Sequence, residues 1–328
     1  MSRSVVSLFS GAGGSSLGYK RAGFDVVGAF DCAPKGYADG VLETYRANHD
    51  TPLFERDVSE LRSRELLDLV NCAPGEIDVL DGSPPCSPFS SQNTSGETGL
   101  DSHKGTLFDH YARLVDGVEP RYFVAENVPG LATGETKGYF QDLCSRLENA
   151  GPGYTLSVSK IEAHKLGSPH RRTRLIFTGS RSGVPHPESV DYTRVGTPGD
   201  VLAGVENDDD ELAIARRMFD DYKYSDAARK LDPGQTLDEV LENKQFTRYR
   251  VALDEPCYNP SSVVETFHPT EDRYLTISEL ARIMGLPDSY TIAGETFNQR
   301  WEAAIRCLPP VMIRTVAETI LDAQEDSV

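Results

Sequence analysis

The chain has 328 residues, with 33 basic against 51 acidic side chains and a formal net charge of −18. At roughly 150 residues per domain it has room for one large domain or two ordinary ones, and a 38% apolar fraction with 9% aromatics excludes a disordered or collagen-like chain. No run approaches the roughly 18 uninterrupted apolar residues of a membrane helix, and residues 1–9 meet a glycine cluster too early for a secretory signal, so a soluble, cytoplasmic protein without a membrane partner is expected.

The charge divides into 27 Asp, 24 Glu, 24 Arg and only 9 Lys. Excess carboxylate with scarce lysine suits a halophilic cytoplasm, where salt screens self-repulsion; the plainer alternative is an ordinary acidic enzyme. Acidity argues against nucleic acid as partner in dilute buffer. In concentrated salt that argument lapses, because the counterion-release term is already largely abolished. The six cysteines stand far apart, with no CxxC pair and no His/Cys cluster at zinc spacing, so neither disulfides nor a metal site is expected.

In chain order, residues 4–9 predict a strand, SGAGGSSLG a glycine turn and residues 17–22 a helix. Strands follow at 25–30 with Asp31 at the end, then in a segment ending at RDV (56–58), and at 77–80 before GSPPCSPFS. Two more are expected at 122–125 before ENVPG and at 156–161 before HKLGSPHRRTRLIFTG, with helices at 106–118 and 138–150. Strands alternating with helices indicate a doubly wound α/β sheet, whose functional residues collect at strand carboxyl ends. Residues 87–105, rich in Ser, Thr and Gly, read as a mobile lid. After about residue 180 the texture changes to Pro, Gly, Asp and Tyr, and helical periodicity is expected again only at Thr276. The run Asp208–Asp209–Asp210–Glu211 reads as a solvated face.

FSGAGG (residues 9–14) is a close backbone turn at a helix amino end. It suits a nucleotide-like ligand, although the same turn serves dinucleotide enzymes and plain tight packing. Asp31, about twenty residues on, is placed to accept both ribose hydroxyls, and Asp57 an adenine amino group; each is alternatively a helix cap or loop acid. In PPC (84–86), two prolines fix the backbone and present Cys86 at a strand end as a thiolate nucleophile. Glu126, opening ENV at the next strand end, can donate to a substrate ring nitrogen if partial burial raises its pKa.

These segments, in this order, resemble the cytosine-5 DNA methyltransferases. The match takes in FSGAGG, Asp31, RDV, GSPPCSPFS, TLFDHYARLV, AENVPG, GSPHRRTRLIFTG and RYLTISELARIMGLPD (273–288), and it spans the chain apart from 181–265. The resemblance implies a Rossmann-like methyltransferase sheet with a smaller inserted domain: residues 1–180 and 266–328 catalytic, 181–265 target recognition. It implies S-adenosylmethionine held by Phe9, Ser10, Gly11, Gly13, Gly14, Val58 and Pro84, with Asp31 at the ribose and Asp57 at the adenine. It also implies a cytosine flipped from double-stranded DNA. The chemistry of the residues agrees: carbon 5 of cytosine is a poor nucleophile until Cys86 adds at carbon 6 while Glu126 holds a proton near nitrogen 3. Arg172 and Arg174 match arginines beside the flipped base, Arg174 at the cytosine oxygen; the alternative is strand-edge arginines paired with acids. A monomer is expected, and the resemblance admits a cognate restriction endonuclease as a second partner.

Two positions depart from the family. His170 stands where glutamine is usual, and Ile305–Arg306 where a Gly-Asn pair is usual. Arg306 would then either reach the methionine carboxylate of the cofactor or point outward to a surface acid. The competing readings are an RNA (tRNA) cytosine-5 methyltransferase with the same motifs and a non-catalytic DNA-binding relative. A dehydrogenase would have no use for PPC and ENV.

Overall fold

The computed structural model describes residues 3–32, 40–85, 106–182, 195–241, 248–260 and 266–325. Cys86 and the expected lid at 87–105 lie outside the described residues. From the amino end, β1 (Ser4–Leu8) leads through α1 (Gly14–Arg21), β2 (Asp25–Asp31), α2 (Val41–Asn48), β3 (Leu53–Glu55) and α3 (Ser63–Val70) to β4 (Val79–Gly82). Then come α4 (Leu107–Val118), β5 (Tyr122–Asn127), α5 (Lys137–Glu148), β6 (Thr155–Glu162), β7 (His170–Arg171) and β8 (Thr173–Ser180). The rest comprises α6 (Pro198–Leu202), α7 (Asp209–Asp220), α8 (Ser225–Ala228), α9 (Leu237–Val240), β9 (Tyr249–Arg250), β10 (Cys257–Tyr258) and β11 (Thr266–Phe267), with α10 (Ile277–Ile283), α11 (Phe297–Arg306) and α12 (Pro310–Glu325) completing the chain.

Seven strands form the main sheet in the order β3-β2-β1-β4-β5-β8-β6. The first five run parallel, and β8 is antiparallel to both neighbours. Helices cover both faces, so the central strands are buried on both sides and read as apolar runs. Alternate residues serve opposite faces. Val5, Val79, Tyr122 and Val124 pack with Tyr19 and α12, whereas Leu8, Leu80, Phe123 and Ala125 pack with Phe108, Tyr111 and Leu114 of α4. Fully buried Met312, Ile313, Val316 and Ile320 of α12 contribute about 1.5–3 kcal/mol each before entropic costs. Strand order reverses between β1 and β4, and such sheets bind ligands in the crevice this leaves at the strand carboxyl ends.

The α/β expectation holds, with three corrections. The third strand stops at Glu55, leaving Asp57 and Val58 in the turn beyond it. The first helix starts at Gly14, within the glycine cluster. Its glycines seat the carboxyl-terminal segment: a Cβ on Gly14 would lie 2.2 Å from the Leu308 carbonyl oxygen, and one on Gly18 2.7 Å from that of Pro310. Helix also returns well before Thr276. Asp208 accepts from the Asp210 and Glu211 amides to cap α7, and Glu211 is buried, holding Arg300 at 2.5 Å and the Ile277 amide at 3.2 Å. The acidic run is therefore a helix start in which Asp208, Asp209 and Asp210 are exposed, as expected of a solvated face, and only Glu211 turns into the interior. Its charges obscured the apolar spacing of Leu212, Ala215 and Phe219.

The described part of the variable stretch shares its cores with the rest of the fold. Ala215, Phe219, Ala228 and Leu237 pack with Phe267 and Tyr274, and Tyr249, Val251 and Cys257 join Ala12, Leu280 and Trp301. Arg250 is buried and donates through its two terminal nitrogens to four acceptors, the carbonyls of Ala228, His268 and Glu271 and the Asp272 carboxylate, which offset much of its cost of burial.

Candidate active site

The β1–α1 turn brings Phe9 to Gly14 over the sheet edge. Phe9 takes φ 53°, Gly11 φ 53° and Gly13 φ 92°. A bulky side chain in that region is an outlier that persists only where its surroundings impose it. Gly11 faces open space, a Cβ there meeting only the Phe9 carbonyl oxygen at 4.0 Å, whereas Gly13 is crowded by His49 and Tyr290 and Gly14 by Leu308. Gly11 leaves open space where a side chain would stand, and the lack of a side chain at Gly13 and Gly14 lets the protein close behind the turn.

Asp31, 8% exposed at the end of β2, accepts from the Gly11 amide at 2.6 Å and the Cys32 amide at 2.7 Å. Burial pushes its carboxyl up to about 6, and those two amides pull it back, which leaves it largely ionised at neutral pH and able to accept further donors. Asp57 is held by the Ser59 amide and hydroxyl at 2.8 and 2.7 Å. Asp57 and Asp31 both act on Cys32, whose thiol is pushed up to about 11, first by burial and then by these charges; the two carboxylates thus share one corner. Val58 instead points into the core beneath α3 and α4, its carbonyl taking Arg113 at 3.0 Å. Ser10 Oγ is buried without a hydrogen-bond partner among the described residues. An unsatisfied buried hydroxyl, open space at Gly11 and a held carboxylate fit the ribose side of S-adenosylmethionine.

Across the strand-order reversal lies a second group. Pro84 is buried, and its carbonyl takes the Asn127 amide group at 3.3 Å, while Asn127 Oδ1 accepts from the Val128 amide at 2.9 Å. Asn127 thereby locks the chain leading to Cys86 against the end of β5. Glu126, 9% exposed, forms an ion pair with Arg174 of β8, placed there because Glu126 stands opposite Ile176 in the antiparallel register. Arg172 turns the other way. It is buried and donates to the Ile305 and Cys307 carbonyls at 3.0 and 3.2 Å. Cys307 Sγ and the Tyr290 hydroxyl both reach the Ala12 carbonyl, at 3.7 and 2.6 Å. The two arginines are therefore not equivalent: Arg174 faces the carboxylate, and Arg172 anchors the segment supporting the glycine turn.

His170 is fully buried, and its imidazole is pushed down to about 3 by desolvation and then by Arg172. Neutral, with Nδ1 donating to the Ile283 carbonyl at 2.8 Å, it ties β7 to the end of α10. Arg306, in contrast, is 41% exposed at its side chain and pairs with Glu302 one turn earlier at 3.1 Å. Of the two readings of Arg306, this is the outward one, a pair with a surface acid. Arg306→Ala is accordingly expected to leave S-adenosylmethionine affinity within about twofold, since an exposed pair of this kind is worth ~0.3–0.5 kcal/mol; titration calorimetry checks it.

Sequence reasoning missed Asn127, Tyr290 and Asp81. Tyr290 gives no local signal, being 278 residues from its partner Ala12. Asp81 does give one: with Asp78 it is one of two acids in the apolar run IDVLD that leads into GSPPC.

These features fit a class, the doubly wound α/β transferases that use a nucleoside-bearing cofactor. A family model of C-5 cytosine-specific DNA methylases matches residues 3–322. The chain belongs to that family: it transfers a methyl group from S-adenosylmethionine to carbon 5 of cytosine in DNA. It is 28% identical over 338 residues to the Type II methyltransferase M1.HphI of Haemophilus parahaemolyticus, covering 98% of this chain and 87% of the relative. It is 32% identical over 351 residues to M.FnuDI of Fusobacterium nucleatum, covering 98% and 96%. In fold it is similar to the crystal structure of a DNA modification methyltransferase encoded within an E. coli prophage, with a TM-score of 0.75 at 22% identity over 99% of this chain and 100% of that one.

Proposed function

We propose that Cys86, Glu126 and Arg174 carry the chemistry on the flipped cytosine, and that Phe9, Ser10, Gly11, Asp31 and Asp57 hold the cofactor. The observation that supports this most directly is the Glu126–Arg174 pair beside the Pro84–Asn127 lock. The carboxylate, the guanidinium and the backbone leading to the nucleophile converge at neighbouring strand ends. The Cys86 thiolate forms a bond to carbon 6 while Glu126 holds a proton at nitrogen 3 and Arg174 the exocyclic carbonyl oxygen at carbon 2, so electron density moves to carbon 5. The cofactor supplies an electrophilic methyl group on its sulfonium. Once carbon 5 is methylated, its proton leaves to a base, the bond to Cys86 breaks and the thiolate is regenerated. Asp31 orients the ribose, Asp57 the adenine, and Arg172 secures the turn from behind.

Residues 181–265 are the target-recognition region in this reading. What supports it is the attachment of β10 to β7, with Cys257 opposite His170 and Tyr258 opposite Arg171. Tyr258 is 56% exposed beneath the Arg171 guanidinium at 6.0 Å, in the same short segment as Arg172 and Arg174. A surface-exposed aromatic in the strand beside the segment that carries Arg174 suits contact with nucleic acid. The two Type II relatives support a place in restriction-modification, acting as a monomer with a cognate endonuclease recognising the same site. No helix among the described residues is long and apolar enough to cross a membrane, which accords with a cytoplasmic site of action. Bisulfite sequencing of DNA from cells with and without the protein tests the reading: new 5-methylcytosine in one sequence context supports it, and an unchanged pattern overturns it.

The Lys-poor acidic surface leads to a further expectation, that the protein is salt-adapted. Melting temperature and methylation rate should both rise as potassium chloride is raised towards molar concentrations, against the steep negative salt slope of most DNA-binding proteins. A monotonic fall of both returns the charge to an ordinary acidic surface.

A further inference from the structure

Asp81 takes part in none of the steps above. It lies in β4, 2% exposed, on the sheet face that carries α1. Ser7 Oγ and Ser15 Oγ donate to its Oδ2 at 3.1 and 2.6 Å, and the Tyr19 hydroxyl donates to Oδ1 at 3.3 Å. A protonated carboxyl would need one of those oxygens as its own acceptor, whereas a carboxylate only accepts. Three converging hydroxyls therefore form a shell for the charged form. Burial works against it, pushing Asp81 up to about 6, and the Glu126 charge pushes the same way. No described Lys, Arg or His forms an ion pair with it. A buried carboxylate kept charged by neutral donors alone, in a family that uses a cationic cofactor, calls for a counter-charge from outside the chain.

The sheet order indicates where that charge sits. Asp57 after β3 and Asp31 at the end of β2 mark the adenosine half of the cofactor, and Pro84 and Glu126 at the ends of β4 and β5 mark the target base. The reacting sulfur must lie between them, over the β1–β4 crevice. Asp81 is in register with Ser7 of β1 on one side and Val124 of β5 on the other, one residue from the end of β4, with neighbouring strands only ~4.8 Å apart. We propose that Asp81 is a buried electrostatic positioning residue for the sulfonium of S-adenosylmethionine, favouring the cationic methyl donor over the neutral thioether left after transfer. The inference rests on the cofactor placement proposed above.

The test compares two ligands that differ by that charge. Titration calorimetry of the full-length protein with S-adenosylmethionine and with S-adenosylhomocysteine gives an affinity ratio, and Asp81→Asn removes the charge while keeping the shape. The variant is expected to lose on the order of tenfold in affinity for S-adenosylmethionine and less than twofold for S-adenosylhomocysteine. The exchange Ser7→Asp with Asp81→Ser, which moves the carboxylate one strand across the same register, is expected to retain the wild-type ratio. Equal losses for both ligands in Asp81→Asn, or an unchanged ratio, would make the network merely structural and overturn the proposal. Where Asp81→Asn does not fold, Ser15→Ala reads the same ratio, with a fall of at least twofold expected and no change overturning the idea. Failure of the wild type to bind either ligand would sink the cofactor placement instead, a result distinct from these.

Discussion

Cys86→Ser is expected to lower methyl transfer to DNA by about four orders of magnitude or more, the scale on which enzymes lose rate when a nucleophile is removed. A serine hydroxyl at neutral pH is almost wholly protonated and a poorer nucleophile than a thiolate, so addition at carbon 6 stalls and carbon 5 never becomes reactive. Pro84 is held to Asn127 through its carbonyl, so the backbone leading to position 86 does not depend on the sulfur. Melting temperature and S-adenosylhomocysteine affinity are therefore expected to match wild type. DNA containing 5-fluorocytosine supplies the complementary measurement: proton elimination is blocked, and wild-type protein should accumulate as a covalent adduct on denaturing gels while Cys86→Ser should not. Methyl incorporation by the variant at an appreciable fraction of the wild-type rate would remove Cys86 from the mechanism.

Much of this arrangement was legible in the sequence because it is local. A β-branched strand followed by FSGAGG, an Asp closing the next strand, PPC after the fourth strand and ENV at the end of the fifth are each short segments whose geometry obeys backbone rules. The doubly wound sheet places their ends side by side. The rest was hidden because it depends on partners far along the chain. Nothing in RRTR separates Arg172 from Arg174. The antiparallel register of β8 directs Arg174 to Glu126 and leaves Arg172 to hold the Ile305 and Cys307 carbonyls, 133 and 135 residues away. Gly13 and Gly14 read as ligand-binding glycines, and nothing local announces that they also make room for His49, Tyr290 and Leu308. The sequence leaves Arg306 open between the cofactor carboxylate and a surface acid, and only the course of α11 turns it toward Glu302. Asp208 to Asp210 are solvated as read and Glu211 is not; the helix start there was missed because charge was weighed without capping, although an Asp before an apolar-periodic run is itself a helix-start signal.

Arg174 and Glu126 are expected to act as one unit. Each side chain is largely buried, at 16% and 11% exposed, so removing Arg174 alone leaves a carboxylate without its counter-charge in a place where such a loss costs about 3–5 kcal/mol. Arg174→Ala is therefore expected to lower the melting temperature more than the double variant Arg174→Ala with Glu126→Gln, which removes the stranded charge as well. Catalysis should show the same coupling. Loss of one preorganised group at a developing charge costs about 10²–10³ in kcat, and either single substitution is expected to fall in that range. If Arg174 works by aiming Glu126 at nitrogen 3 and holding the same ring, the second substitution has little left to remove, and the double variant should be no more than about tenfold slower than the worse single one. Single-turnover methylation with saturating cofactor and DNA measures this without interference from product release. Multiplicative losses, with the double variant slower by the product of the two single effects, would show that Arg174 works independently of Glu126, through a phosphate or the cytosine oxygen alone; its affinity for DNA should then drop and its salt slope flatten by about one phosphate contact.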